Sequence, residues 1–277
     1  MAGDLVLVTG VSGFCDSDAM PWEPNGDSVR KILSRDETAR SVVVRTFFPP
    51  SGSNPVPFRW YHRSVRETFL FLWGEYRGWE FRGPDDTEGR IERFARGTFM
   101  DRPPLSLHGR RPAPTATGCE FLMWTSHGGD FDLDENESFP LPNDAAPPPG
   151  LLFRSPDVVM TEAMPWRDHP RLPGAKRKEV SRGEAGTPPG HYPVTLVYLP
   201  PGWRFASDVM SDHARRWCYG LAGRMPLSLA GNVVEVRSGC FAEWRDSARV
   251  TVGERPVGEE GALLLCVGHD LSPVASG

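Results

Sequence analysis

His62-Arg-Ser-Val-Arg-Glu67-Thr-Phe-Leu-Phe-Leu-Trp-Gly74 decides how this chain is read, together with Gly97-Thr-Phe-Met-Asp-Arg-Pro103-Pro-Leu-Ser-Leu-His108 downstream. The first stretch sets four residues between a histidine and a carboxylate. It then runs six residues of strand-forming sequence into a glycine. The second runs from a glycine through a proline to another histidine. Residues two apart on a strand face the same side, so ligands on short paired strands can converge inside a barrel. Two imidazoles and a carboxylate around open positions suit Fe(II), and also Mn, Ni, Co or Zn with less selectivity.

Working outward, the chain repeats itself. Ala19-Met-Pro-Trp22 recurs as Ala163-Met-Pro-Trp166, and Arg30-Lys-Ile-Leu-Ser-Arg35 as Arg177-Lys-Glu-Val-Ser-Arg182. Val44 to Pro50 is echoed by Thr195 to Pro201, and Phe71-Leu-Trp-Gly74 by Gly220-Leu-Ala-Gly223. The offsets of 144, 147, 151 and 149 residues are nearly constant, which implies two copies of one unit. The expected organisation is a first barrel over 1–130, an acidic and proline-rich linker over 131–150, and a second barrel over 151–277.

Strands are expected throughout. Ser41 to Phe48 and Glu67 to Trp73 are β-branched and aromatic; Tyr76 to Phe81 is read as returning from a turn at Gly74. Phe121 to Thr125, Val194 to Leu199, Met225 to Leu229 and Leu263 to Val267 read likewise. Gly 29 and Pro 28 together make about a fifth of the 277 residues, which argues against a helical bundle.

Other classes are excluded on similar grounds. A net charge of −5 gives no basic face for nucleic acid. No window approaches the ~20 apolar residues of a membrane span, and no secretory signal is visible, so a cytoplasmic location is expected. Five scattered cysteines without a Cys-x-x-Cys pair fit neither a disulfide framework nor a zinc ribbon. Leu5-Val-Leu-Val-Thr-Gly10-Val-Ser-Gly13 imitates a dinucleotide turn, but Met20-Pro-Trp-Glu-Pro24 follows where a helix is required, so no nucleotide is expected.

The two motifs resemble those of the cupin superfamily, Gly-x5-His-x-His-x3–4-Glu-x6-Gly and Gly-x5-Pro-x-Gly-x2-His. His62, Glu67 and His108 fall on its metal ligands, and Gly74, Gly97 and Pro103 on its turn positions. Trp60 stands at the first histidine, Asn54 at the opening glycine and Leu105 at the second motif's glycine. The duplicated layout with its Met-Pro-Trp lead-in is most similar to bicupins related to anti-sigma-factor cupin domains and acetylacetone-type dioxygenases. The resemblance implies an all-β chain of two tandem jelly-roll antiparallel barrels. It also implies one divalent ion in the first barrel, Fe(II) first and Zn, Ni or Mn otherwise, and a small-molecule substrate. A non-haem dioxygenase on an enol, diketone or phenol leads the functional readings. A metal-dependent isomerase or cyclase and a non-catalytic ligand-sensing bicupin stand as alternatives, and a homodimer is compatible with all three.

Trp60, Phe69 and Phe71 share strand parity with the ligands and are expected to line the substrate pocket or fill the barrel; Arg110 is a candidate for an anionic substrate group. Arg59, of opposite parity, is expected at the solvent face. His127 is a further candidate ligand. In the second unit Arg216 occupies the glutamate position and Val250 the second-motif histidine, which leaves His213 alone and predicts no metal there.

Overall fold

The computed structural model describes residues 6–9, 12–36, 41–50, 59–109, 113, 115–125, 138–142, 145, 148, 152–183, 192–204, 215–229, 232–245, 250–251 and 255–268. Among them, every element is a strand except one 3₁₀ turn at Thr161–Ala163. All strand pairs named below are antiparallel.

The unit built on Trp22–Ala163 orders its strands as Ser138–Leu141, Arg59–His62, His108–Gly109, Glu67–Glu80, Cys119–Thr125, Ser41–Phe48, Ser28–Asp36 and Glu23–Asn25. Glu67–Glu80 also pairs with Thr98–Arg102 along its first half and with Arg90–Ala95 along its second. The expected turn at Gly74 is therefore a bulge within one long strand. Opposite it, Glu120 pairs with Trp73 and Phe121 with Phe71, so Leu72 is passed over. Gly74 sits at φ +73°, and a Cβ there would lie 2.2 Å from the Gly118 carbonyl oxygen, so only glycine fits. The extra residue shifts the alternation by one. Phe69 and Phe71 before the bulge, and Tyr76 after it, pack into one cluster with Phe94, Met100, Cys119 and Phe121.

The second unit, built on Met1–Pro21, Met164–Thr187 and Tyr192–Gly277, repeats this plan. Its order is Val6–Thr9, Ser12–Asp16, Cys240–Arg245, Arg215–Leu229, Ala262–Val267, Val194–Leu199, Lys176–Ser181 and Arg167–Asp168. The long strand again carries a bulge, passing over Leu221, with Gly223 at φ +66° against the Gly261 carbonyl. The amide of Gly97 donates to Phe71 O at 2.9 Å, and that of Gly239 to Gly220 O at 3.0 Å. Lys31 lies 4.3 Å from the Trp22 ring centre, and Lys178 lies 4.5 Å from that of Trp166. The sequence repeat is thus reproduced contact by contact.

The boundaries differ from those read in the sequence. Ser12–Asp16 pairs with Cys240–Arg245, and Asp157–Met160 pairs with Thr98–Arg102. The amides of Ser17 and Thr161 donate to the carbonyls of Gly239 and Gly97 at 2.9 and 3.0 Å. Each copy's leading strand therefore completes the unit formed mainly by the other copy. Repetition shows which segments correspond, whereas pairing depends on which edge each strand reaches. The expected linker also contains a strand: Ser138–Leu141 pairs with Arg59–His62, and Leu141 is buried with Tyr61, Phe81 and Leu107. Val6–Thr9 pairs antiparallel with Ser12–Asp16, so the residues that follow the Gly10 region in this part of the chain are strand.

Candidate metal centre

His62 closes the Arg59–His62 strand, and Glu67 opens the long strand after a short connection. His108 lies between them in the sheet, opposite Trp60 on one side and Glu80 on the other. Directly opposed residues project from the same face, so Trp60, His108 and Glu80 form one row. Arg102 stands opposite Glu67 on the remaining neighbour of the long strand. The amide of Leu105 donates to His62 O at 2.7 Å and ties the two motif loops together. Leu105 adopts φ +65°, the left-handed conformation for which the motif's glycine is suited.

His62, Glu67 and His108 are 6%, 7% and 7% exposed, so their heads are withdrawn from solvent. Glu67 Oε1 lies 3.8 Å from His62 Nε2, and Oε2 lies 3.7 Å from His108 Nε2. One ligand atom from each of the three falls within 4.8 Å of the others. An ion about 2.1 Å from each donor would hold neighbouring donors about 3.0 Å apart at right angles and about 3.4 Å apart at the tetrahedral angle. The three donors stand wider than this and would draw inward around an ion, and the donor set itself, two imidazoles and a carboxylate, fits one. His108 Nδ1 lies 3.1 Å from Ser106 O; the Nδ1–H tautomer makes this bond and leaves Nε2 with the lone pair a ligand needs.

The electrostatics suit cation binding. Burial works against ionisation of Glu67, but the adjacent His62, His108 and Arg102 outweigh it and hold its carboxyl at about 2. Burial, reinforced by Arg102, keeps His108 well below its ordinary value of 6.5, and hence neutral. A neutral imidazole and an ionised carboxylate are the protonation states that ligate.

Arg102 and Glu80 belong to the same cluster, although the sequence reading did not single them out. Arg102, 4% exposed, donates through Nη1 to Glu67 Oε2 at 3.1 Å and through Nη2 to Glu80 Oε1. Burial raises the Glu80 carboxyl, and its Oε2 has no hydrogen-bond partner. The signal for Arg102 was its parity with Met100 and Thr98 just before Pro103. Glu80 was hidden because 13 residues separate it from Glu67, an odd number that the bulge brings back to the same side.

The other expected site residues divide. Trp60 is half-buried in the row with His108. Phe69 and Phe71, 6% and 1% exposed, stack on each other and meet Phe121 edge-on within the apolar cluster that fills this part of the barrel. Arg110 and His127 lie outside the described residues. Arg59 is not at the solvent face: it is 1% exposed and donates to the carbonyls of Pro84 and Pro142. A guanidinium can be buried there because chain outside the barrel wall supplies acceptors.

The corresponding positions of the second barrel are different. Counting from the paired glycines, Glu67, Glu80 and Arg102 correspond to Arg216, Leu229 and Trp244. Leu229 and Trp244, 0% and 2% exposed, pack with Cys218, Met225 and Leu227 in an apolar core. Among the described residues, His62, Glu67 and His108 form the group of potential ligands close enough to share an ion; His213 is outside those residues.

No family model matches the sequence, and no curated protein matches it. Solved structures do match in fold. The E. coli protein Ylba aligns with TM-score 0.64 and 13% identity over 97% of this chain and 96% of its own. A candidate dioxygenase from Nostoc punctiforme aligns with TM-score 0.65 and 14% identity over 96% and 85%. Oxalate decarboxylase from Lactobacillus farciminis, in its formate complex, aligns with TM-score 0.60 and 14% identity over 97% and 88%. Alignment across nearly the whole chain, with two antiparallel barrels each bulged at a glycine, assigns the fold: this is a two-barrel cupin jelly roll.

Proposed function

We propose that the first barrel is a metal-dependent catalytic site, and that the protein is a non-haem Fe(II) dioxygenase acting on a small enol, diketone or phenol. The observation carrying this reading is the convergence of His62, Glu67 and His108, all buried, with Trp60 rather than a fourth imidazole in the adjoining row. Similarity in fold to a candidate dioxygenase and to oxalate decarboxylase supports small-molecule chemistry on this scaffold.

The chain's own residues supply the environment. His62, Glu67 and His108 would hold the ion, which would supply Lewis acidity and a place for O2 or substrate at its open positions. Ser106 O fixes the His108 tautomer, and Arg102 keeps Glu67 ionised. The phenylalanine cluster behind Glu67 excludes water from that end of the barrel, which strengthens every charge interaction at the site. Trp60 presents an apolar wall on the side where a fourth ligand would approach.

Metal analysis of protein purified from cells tests this reading, followed by O2 consumption with diketone and catechol substrates. Iron at one equivalent per chain with substrate-dependent O2 uptake is expected. Zinc without O2 uptake would replace it with a non-redox isomerase or cyclase. Failure to bind any divalent ion after reconstitution would leave the ligand-sensing reading.

A further inference from the structure

We propose that Arg102 is a positioning residue that reserves one oxygen of Glu67, so that this carboxylate reaches the ion through Oε1 alone and leaves coordination positions open for an exogenous ligand. The proposal rests on the metal reading of the preceding section and specifies how that centre is shaped.

Four contacts fix the guanidinium. Nη1 holds Glu67 Oε2, Nη2 holds Glu80 Oε1, Met100 Sδ lies 3.7 Å from Nη2, and the group sits 5.4 Å from the Phe69 ring centre. Glu67 Oε1 accepts no such bond and lies 3.8 Å from His62 Nε2, whereas Oε2, 3.7 Å from His108 Nε2, is also held by Arg102. Swinging Oε2 onto the ion would strip a buried N–H of its partner, a loss that burial makes costly, since Arg102 and Glu67 are 4% and 7% exposed. A charge-assisted bond from a guanidinium already anchored by a second carboxylate resists that swing. Glu80 thus offsets the charge of Arg102 and holds the fork in place. Ionised together, the pair adds no formal net charge to the centre, so replacing both residues at once tests the geometric effect.

The second barrel shows that the fold accepts apolar side chains here, since Trp244 and Leu229 occupy the positions of Arg102 and Glu80. This supplies the variant. In the double variant Arg102→Met, Glu80→Leu both charges disappear together, so the formal net charge is unchanged while Glu67 Oε2 is released. Replacing such a buried pair by apolar residues is commonly tolerated.

The probes are Co2+ and azide. Co2+-loaded wild-type protein should bind azide at an open position. In the double variant, X-ray absorption should show one additional oxygen in the first coordination shell, the visible Co2+ bands should change, and azide affinity should fall about tenfold. An unchanged Co2+ spectrum with unchanged azide affinity would overturn the assignment. Should the double variant not fold, Arg102→Lys keeps the charge but cannot hold two carboxylates with one fork. It should show the same spectral change, and an unchanged spectrum would again refute the proposal. Wild-type protein that binds no Co2+ would be a different outcome, removing the metal reading itself.

Discussion

Acidification of the metal-free protein should unfold the first barrel through Glu67. Its carboxyl is held at about 2 in the folded chain, against an ordinary value of 4.5. Because the folded value is the lower one, ionised Glu67 stabilises the fold fully above pH 4.5, and that contribution is lost as pH falls from 4.5 towards 2. A difference of about 2.5 units at about 1.36 kcal/mol each is worth about 3 kcal/mol. For a unit of about 140 residues, with an unfolding entropy of roughly 0.3 kcal/mol/K, that corresponds to about 10 °C in Tm. His108 acts in the same direction but from higher pH. Burial and Arg102 hold its folded value below 6.5, so it begins to cost stability as pH drops through 6.5. Glu80 opposes both: burial raises its carboxyl, so the folded unit takes up its proton more readily and gains as pH falls. Comparing wild type with Glu67→Gln separates the first effect from the other two. Calorimetric melts of the metal-stripped proteins should place the variant about 10 °C below wild type at pH 7, and the gap should shrink to less than half by pH 3. A gap that stays constant or widens on acidification would refute the electrostatic account of the site.

Other outcomes follow from the same geometry. His62→Ala and His108→Ala should each weaken Co2+ binding on the order of 100-fold or more by titration calorimetry, since removing even an outer-shell partner costs 10–100-fold; retained affinity would count against the shared centre. One equivalent of metal per chain is expected, and His213→Ala should leave it at one; two equivalents in wild type would reveal a site in the second barrel. Gly74→Ala should cost on the order of 3 kcal/mol in urea unfolding, because φ +73° and the Gly118 carbonyl at 2.2 Å leave no room for a Cβ. Leu105→Val should be less stable than Leu105→Gly by about 1 kcal/mol, since a β-branched residue tolerates φ +65° worst; the reverse order would show that Leu105 is held by packing alone.

Spacing, parity and repetition were legible in the chain because they are local. The offsets between Trp22 and Trp166, Lys31 and Lys178, and Gly74 and Gly223 are mirrored by matching cation–π contacts and matching bulges. His62, Glu67 and His108 were identifiable through their resemblance to the two cupin motifs, in which each stands at a fixed spacing from a turn glycine or proline. Phe69 and Phe71 were not decided in the same way. Parity places them inside the barrel, but packing against Phe94, Met100 and Phe121 determines that they fill it.

The amino-acid sequence by itself determined that the chain is duplicated, that it is built of strands, and which three side chains can meet. Those properties follow from periodicity of two and from the backbone demands of glycine and proline. Tertiary structure alone decided the rest. It sent Ser12–Asp16 and Asp157–Met160 to opposite units, drew Ser138–Leu141 out of an apparent linker, and buried Arg59 on backbone carbonyls. It also returned Glu80 to the face of Glu67 through one passed-over residue, and placed Arg102 between the two carboxylates. The physical reason is that a strand carries its own alternation, whereas its partner, and hence the charge its side chains meet, is chosen by segments far away in the chain.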